Sequence, residues 1–225
     1  VEWIPAVGGS SPNSLVATDQ YVYVSNGNND NISVIDAKQN KVVSTIELKL
    51  DARLGNLKGI IPFGLAISPD QKRLFVAEAG INAVGVIDVT TQKVVGHIPT
   101  GWFPSKIKVT PDGKQLIVSN AKGYGSGPNG GKNFNPSFQG RGSDYIGSLM
   151  LGTVSVIDIP SDEELKSLTE KVIANNFTFK EVAAGDKNPI PVYQKEKESP
   201  IKYIVFISKE NRTYDEVFGQ LSNGQ

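Results

Sequence analysis

One short pattern recurs three times in the first 160 residues, and it dictates most of what the chain can become. Leu15-Val-Ala-Thr-Asp-Gln-Tyr-Val-Tyr-Val-Ser-Asn26, Leu65-Ala-Ile-Ser-Pro-Asp-Gln-Lys-Arg-Leu-Phe-Val-Ala-Glu78 and Ile107-Lys-Val-Thr-Pro-Asp-Gly-Lys-Gln-Leu-Ile-Val-Ser-Asn120 share one plan. Each reads as a short strand, an Asp-centred turn, and a strand ending in an aromatic or aliphatic residue, Val, a small residue and a polar one. A third strand follows each: Ile32–Asp36, Val84–Asp88 and Thr153–Asp158. A fourth follows the first two, Lys41–Ile46 and Lys93–Ile98, and a proline (Pro12, Pro62, Pro104) precedes each unit.

The Pro62-to-Pro104 spacing is 42 residues, the period of a four-stranded blade. Pro12 to Pro62 is 50, the excess falling in an extra loop, Lys49–Leu57. In the third copy Val118 to Ile157 spans 39 residues where Val24 to Ile35 spans 11, which marks a Gly/Asn-rich insertion at about 121–150. Four short antiparallel strands at this period describe a β-propeller blade, its faces buried on neighbouring blades. Val1–Ile4 reads as the last strand of a preceding blade, because Ile4-Pro5 precedes Pro12 as Ile98-Pro99 precedes Pro104. Propellers close with roughly four to eight blades, so about three blades and a strand imply the remainder of a ring, in the same polypeptide or another chain. Tyr23-Val-Ser-Asn26, Phe75-Val-Ala-Glu78 and Ile117-Val-Ser-Asn120 resemble the repeat signature of the YVTN family of bacterial seven-bladed propellers, over residues 1–160.

After Pro160 the period stops. Ser161-Asp-Glu-Glu164 is a capping box, followed by Leu165, Leu168 and Val172 at helical spacing, which predicts a helix over 161–175. Residues 180–200, with three prolines and the run Lys195-Glu-Lys-Glu198, read as a linker. Ile201-Lys-Tyr-Ile-Val-Phe-Ile207 is apolar on both faces apart from one Lys, which suits a strand buried in a parallel α/β sheet. Polar residues just past such a strand lie where open α/β sheets bind ligands.

That polar stretch, Glu210-Asn-Arg-Thr-Tyr-Asp-Glu-Val-Phe-Gly219, resembles the first motif of the phosphoesterase family within the alkaline-phosphatase superfamily, which includes acid phosphatases and phospholipases C. The resemblance implies that Glu210 and Asn211 are ligands of a divalent metal ion. It leaves Arg212, Thr213, Tyr214 and Asp215 to support the motif or meet a phosphate. It places the nucleophile and the remaining ligands beyond Gln225, so Thr213 is not taken as the nucleophile. One carboxylate and one amide fall short of the roughly four to six donors a divalent ion requires. The chain alone is therefore expected to be inactive, as part of a protein that hydrolyses a phosphate ester. The resemblance also implies a periplasmic, secreted or cell-surface location. The expected organisation is mainly β: a partial propeller over 1–160, a helix and linker over 161–200, and the first strand and turn of an α/β phosphoesterase domain over 201–225. The alternative is a non-catalytic propeller scaffold of the bacterial surface or periplasm.

Composition removes other classes. Lys+Arg 23 against Asp+Glu 23 gives no electrostatic footprint for nucleic acid or an anionic membrane. The longest apolar run, Tyr203–Ile207, is far short of a bilayer span. With no Cys there is neither disulfide nor thiolate site. The single histidine, His97, falls on a blade strand, where one imidazole makes no dyad. Asp36, Asp88 and Asp158 close strands, and Asp19, Asp70 and Asp112 sit in turns; repetition argues for a structural role. Gly125–Lys132 fails as a phosphate loop, lacking the required Gly, the Ser/Thr and a following helix. The insertion's Phe134, Phe138 and Tyr145 leave it either plain surface or a cover for a neighbouring domain. Trp102 and Phe103 are expected between blades. Asn31-Ile-Ser33 and Asn176-Phe-Thr178 match the glycosylation triplet, a pattern common by chance.

Overall fold

A computed structural model describes residues 10–125, 150–179, 201–208 and 217. The chain divides into two units, Val1–Thr178 and Phe179–Gln225. Among its described residues the first holds three antiparallel sheets. One is β1 (Pro12–Ala17), β2 (Tyr21–Asn26), β3 (Asn31–Asp36) and β4 (Lys41–Glu47), paired in that order. The next is β5 (Pro62–Ile67), β6 (Arg73–Glu78), β7 (Ala83–Asp88) and β8 (Lys93–Pro99). The third is β9 (Trp102–Val109), β10 (Gln115–Gly123) and β11 (Thr153–Asp158), with three strands where the first two have four. This is a mainly β, partial propeller-like fold, and its registers repeat: Val24 faces Ser33, Val76 faces Gly85, and Val118 faces Ser155.

Alternation along β6 shows how one blade serves two cores. Leu74 and Val76 join Tyr23, Ile32, Val34 and Ile46 of the first blade in one buried cluster. Phe75 and Ala77 join Ile107, Leu116 and Val118 of the third in another. Phe103 stacks edge-on against Phe63 of β5, ring centroids 5.3 Å apart, as an inter-blade contact of the kind expected there, whereas Trp102 is half exposed.

A clasp between blades is repeated as well. The residues before the three blade-opening prolines, Ser11, Ile61 and Phe103, all have positive φ (57°, 53° and 56°), a strained choice for a side chain with a Cβ. At Ile61 and Phe103 the strain is offset by the preceding blade's β2–β3 and β6–β7 turns. Asp30 Oδ1 accepts from Ile61 N at 2.9 Å and Oδ2 from Gly59 N at 2.6 Å, while Asn82 Oδ1 accepts from Phe103 N at 2.9 Å. Asp30 and Asn82 themselves have φ of 52° and 53°, a region that Asn and Asp tolerate better than most residues.

The helix α1 (Asp162–Asn176) starts where the capping box places it. Ser161 Oγ accepts from Glu164 N, and the Glu164 side chain reaches back to Ser161 N at 2.9 Å. It packs on β8, burying Leu165 and Val172. Gly96 permits the approach, since a Cβ there would lie 2.5 Å from Leu165 Cγ. His97 N donates to Thr169 Oγ1 at 2.8 Å, and Arg73 Nη2 meets Asp162 at 2.8 Å.

Of the second unit, Ile201–Ser208 differs from the expectation of a buried strand. It carries no strand, and Tyr203, Ile204, Val205, Phe206 and Ile207 are 81–88% exposed. A parallel-sheet strand needs hydrogen-bonding neighbours on both edges and cover on both faces. Among the described residues no strand pairs with this segment. Val1–Ile4, most of the insertion (126–149) and the linker over 180–200 lie outside the described residues. β10 runs on to Gly123, past the boundary at which the insertion was expected to begin.

Candidate functional site

Glu210, Asn211, Arg212, Thr213, Tyr214 and Asp215, the residues singled out for metal and phosphate chemistry, lie outside the described residues. Among the described residues no group of three or more His, Asp or Glu could hold a metal, and no helix is long and apolar enough to cross a membrane.

The turn aspartates do structural work. Ser68 and Thr110 hydroxyls donate to Asp70 and Asp112 at 2.6 and 2.5 Å, and with backbone N–H donors they hold both carboxyls below the ordinary range. Asp88 is lowered by the Thr91 backbone N–H and hydroxyl, and Asp36 accepts from Lys38 N and Gln39 N. Asp158 departs from this pattern and accepts from the Gln115 amide at 2.8 Å. Asp19 is not the bonding residue of its turn: Thr18 Oγ1 accepts from Tyr21 N at 2.9 Å, as Ser68 Oγ and Thr110 Oγ1 accept from Arg73 N and Gln115 N. The Ser or Thr in the repeat was the stronger signal. Of the two glycosylation triplets, Asn31 is buried and the Asn176 amide is committed to the carbonyls of Ile81 and Val172.

Two features stand out against the repeat. The first is a buried carboxylate–imidazole pair in the second blade. Asn26 Nδ2 donates to Ser33 Oγ (2.8 Å) in the first blade and Asn120 Nδ2 to Ser155 Oγ (2.9 Å) in the third. The second blade has Glu78 and Gly85 at the same positions. A Cβ on residue 85 would lie 2.4 Å from Glu78 Oε1, so glycine is what admits the longer side chain. Across from Gly85, where the first blade has Thr45, stands His97. Its Nε2 is 3.4 Å from Glu78 Oε2, an ion-pair separation without hydrogen-bond geometry, and both side chains are within 2% of complete burial. His97 is thus not an ordinary blade residue, and the motif comparison Asn–Glu–Asn at 26, 78 and 120 was the signal for it.

The second is a cleft of about 590 Å³ beneath the extra loop between the first two blades. Leu48, Leu50, Ile60 and Ile81 form its buried floor, and Leu54 and Phe177 close its sides. Asp51 caps the short 3-10 turn Ala52–Leu54 and takes a two-pronged bond from Arg53, Nε to Oδ1 at 2.8 Å and Nη2 to Oδ2 at 2.7 Å. Those bonds, with the Arg53 backbone N–H, lower the Asp51 pKa to about 2.

No known family profile matches the chain, and no curated protein matches it. Solved structures do. Hydrazine synthase of Kuenenia stuttgartiensis is similar at 23% identity and a TM-score of 0.44, over 53% of this chain and 33% of that one. A putative 6-phosphogluconolactonase of Bacteroides fragilis NCTC 9343 is similar at 21% identity and a TM-score of 0.43, over 50% of this chain and 33% of that one. The chain thus matches about a third of the length of these structures. The fold assignment rests on the three sheets themselves.

Proposed function

We propose that this chain belongs to a metal-dependent phosphoesterase in which a YVTN-type blade array positions substrate or attaches the protein to a surface. The observation that carries the reading is the ordered motif Glu210–Gly219 behind the apolar run Ile201–Ile207. The blade repeat supports it, because its resemblance to the YVTN propellers supplies the first module of such a protein. Glu210 and Asn211 offer one anionic and one neutral oxygen donor, a set that suits part of the shell of a divalent cation. Such a cation, when bound, supplies charge to a phosphoryl oxygen and lowers the pKa of an attacking hydroxyl. On this reading Arg212 supports the motif or meets a phosphate oxygen. On this reading the protein works in the periplasm, outside the cell or on its surface, and takes a phosphate ester as substrate.

A non-catalytic scaffold is the second reading, favoured by the open face of the third blade, where Ile117, Val154 and Val156 are exposed. Metal content and p-nitrophenyl phosphate turnover of the intact source polypeptide separate the two. The hydrolase reading expects bound divalent metal and turnover, both lost in Glu210→Gln/Asn211→Ala. A polypeptide with neither metal nor turnover leaves the scaffold.

A further inference from the structure

The outward face of the third blade breaks the repeat where blades meet. The opening strands β1, β5 and β9 pack side by side, and Leu15, Leu65 and Ile107 are their equivalent residues, opposite Val24, Val76 and Val118. Leu65 and Ile107 face the preceding blade and are buried against it. Leu15, on the outward face of the first blade, is an exposed residue of the same kind. The residues flanking each of them face the following blade. In the first blade these are Ser14 and Val16, and Val16 packs on the cluster shared with the second. In the second they are Gly64 and Ala66, both buried. A Cβ on residue 64 would lie 2.7 Å from the Ser105 carbonyl oxygen and 2.8 Å from Lys106 Cα, so the following blade leaves no room for a side chain.

In the third blade the same two positions hold Lys106 and Lys108, both exposed. A fourth blade lying on the third as the third lies on the second would press its opening strand into Lys106. It would also bury two ammonium groups. Neither lysine makes an ion pair among the described residues. Asp158, farther along the same face, is held by the Gln115 amide at 2.8 Å. Beside the lysines the face turns aliphatic. Cross-strand rows run Lys108–Ile117–Val156 and Lys106–Ser119–Val154, and Ile117, Val154 and Val156 are exposed. The outer edge of β11 pairs with no strand among the described residues. The first blade thus keeps on its outward face the residue the repeat uses to pack blades, and the third blade has replaced its own.

We infer that the outward face of the third blade docks a protein partner that sets carboxylates over β9 and aliphatic side chains over β10 and β11, and that it does not receive a further blade of the repeat. A wholly apolar partner would leave both ammonium groups buried without a counter-charge. A uniformly anionic one would match the lysines and leave the valines and Ile117 uncovered.

Carbodiimide joins an amine to a carboxylate only where the two are in contact. Cross-linking therefore tests the inference on the intact source polypeptide in the assembly from which it is isolated, read by peptide mass spectrometry. Lys106 or Lys108 is expected to be joined to an Asp or Glu outside residues 1–225, and both should acetylate more slowly than exposed Lys114. Lys106→Glu/Lys108→Glu, at two exposed positions, should keep the native far-ultraviolet circular dichroism, lose the cross-links and raise deuterium exchange along Thr153–Asp158. The inference is overturned if both lysines acetylate as fast as Lys114 and form no cross-link. It is equally overturned if the carboxylate they join lies within this chain or in a further copy of the four-stranded unit. Unchanged exchange along β11 in the natively folded double variant overturns it as well.

Discussion

Two equivalent strands of the repeat meet opposite surroundings. Ala83-Val-Gly-Val-Ile-Asp88 of the second blade is buried along five of its six residues. Thr153-Val-Ser-Val-Ile-Asp158 of the third has no buried residue, and its Val154 and Val156 are 67% and 62% exposed. Their apolar content is almost the same. The repeat therefore writes two apolar faces into every blade, and a face contributes burial energy only where another sheet lies on it. The polar ladder on the same strands varies in the opposite way, with Ser33 and Ser155 in the outer blades and Gly85 in the middle one.

That ladder carries the largest expected effect. Glu78→Leu or His97→Leu leaves the other side chain buried without the polar group it faces, and each should destabilise the protein by up to about 3 kcal/mol in urea unfolding. The triple variant Glu78→Asn, Gly85→Ser, His97→Thr installs the first blade's residues at the three facing positions. Because the positions are in contact, it should recover to within about 1 kcal/mol of the parent rather than add the losses. Additive losses would mean that the Asn-to-Glu exchange and the appearance of His97 are unrelated.

A smaller effect sharpens the contrast between the strands themselves. Val84→Ala removes two buried methyl groups and should cost about 2 kcal/mol. Val154→Ala, the same change at the equivalent position, should stay within about 0.5 kcal/mol. Equal costs at the two sites would show that the outer face of the third blade is covered in solution.

Much of this architecture was legible in the residues because a propeller blade is a local object. Its strands pair with sequence neighbours, so alternation, turn residues and period suffice to place β1 through β11, and a capping box suffices to start α1. The features that escaped such reading depend on contacts between blades. Nothing local to Ile61 or Phe103 announces a positive φ, because the strain is offset by Asp30 and Asn82 about 20–30 residues earlier. His97 reads as a lone imidazole until the pairing of β7 with β8 sets it opposite Gly85, beside Glu78. The run Ile201–Ile207 depends on non-local partners in the same way. Its composition suits a central strand, and a central strand forms only where neighbouring strands pair with it.

The extra loop offers the smallest and most local test. Asp51 and Asp70 both accept turn hydrogen bonds, but only Asp51 also has a guanidinium fork, and its pKa falls from 3.8 to about 2. A carboxyl with a folded pKa below its unfolded value binds fewer protons in the folded state. Its contribution to the loop is complete above about pH 4 and is lost as pH falls through 2. Carbon-13 titration of the Asp51 carboxyl should give a midpoint near 2. Arg53→Gln should raise that midpoint but leave it short of 3.8, because the backbone N–H of residue 53 still donates to Oδ1 at 2.8 Å. A wild-type midpoint at 3.8 would mean that the fork does not persist in solution, and the two aspartates would then be the same kind of turn residue.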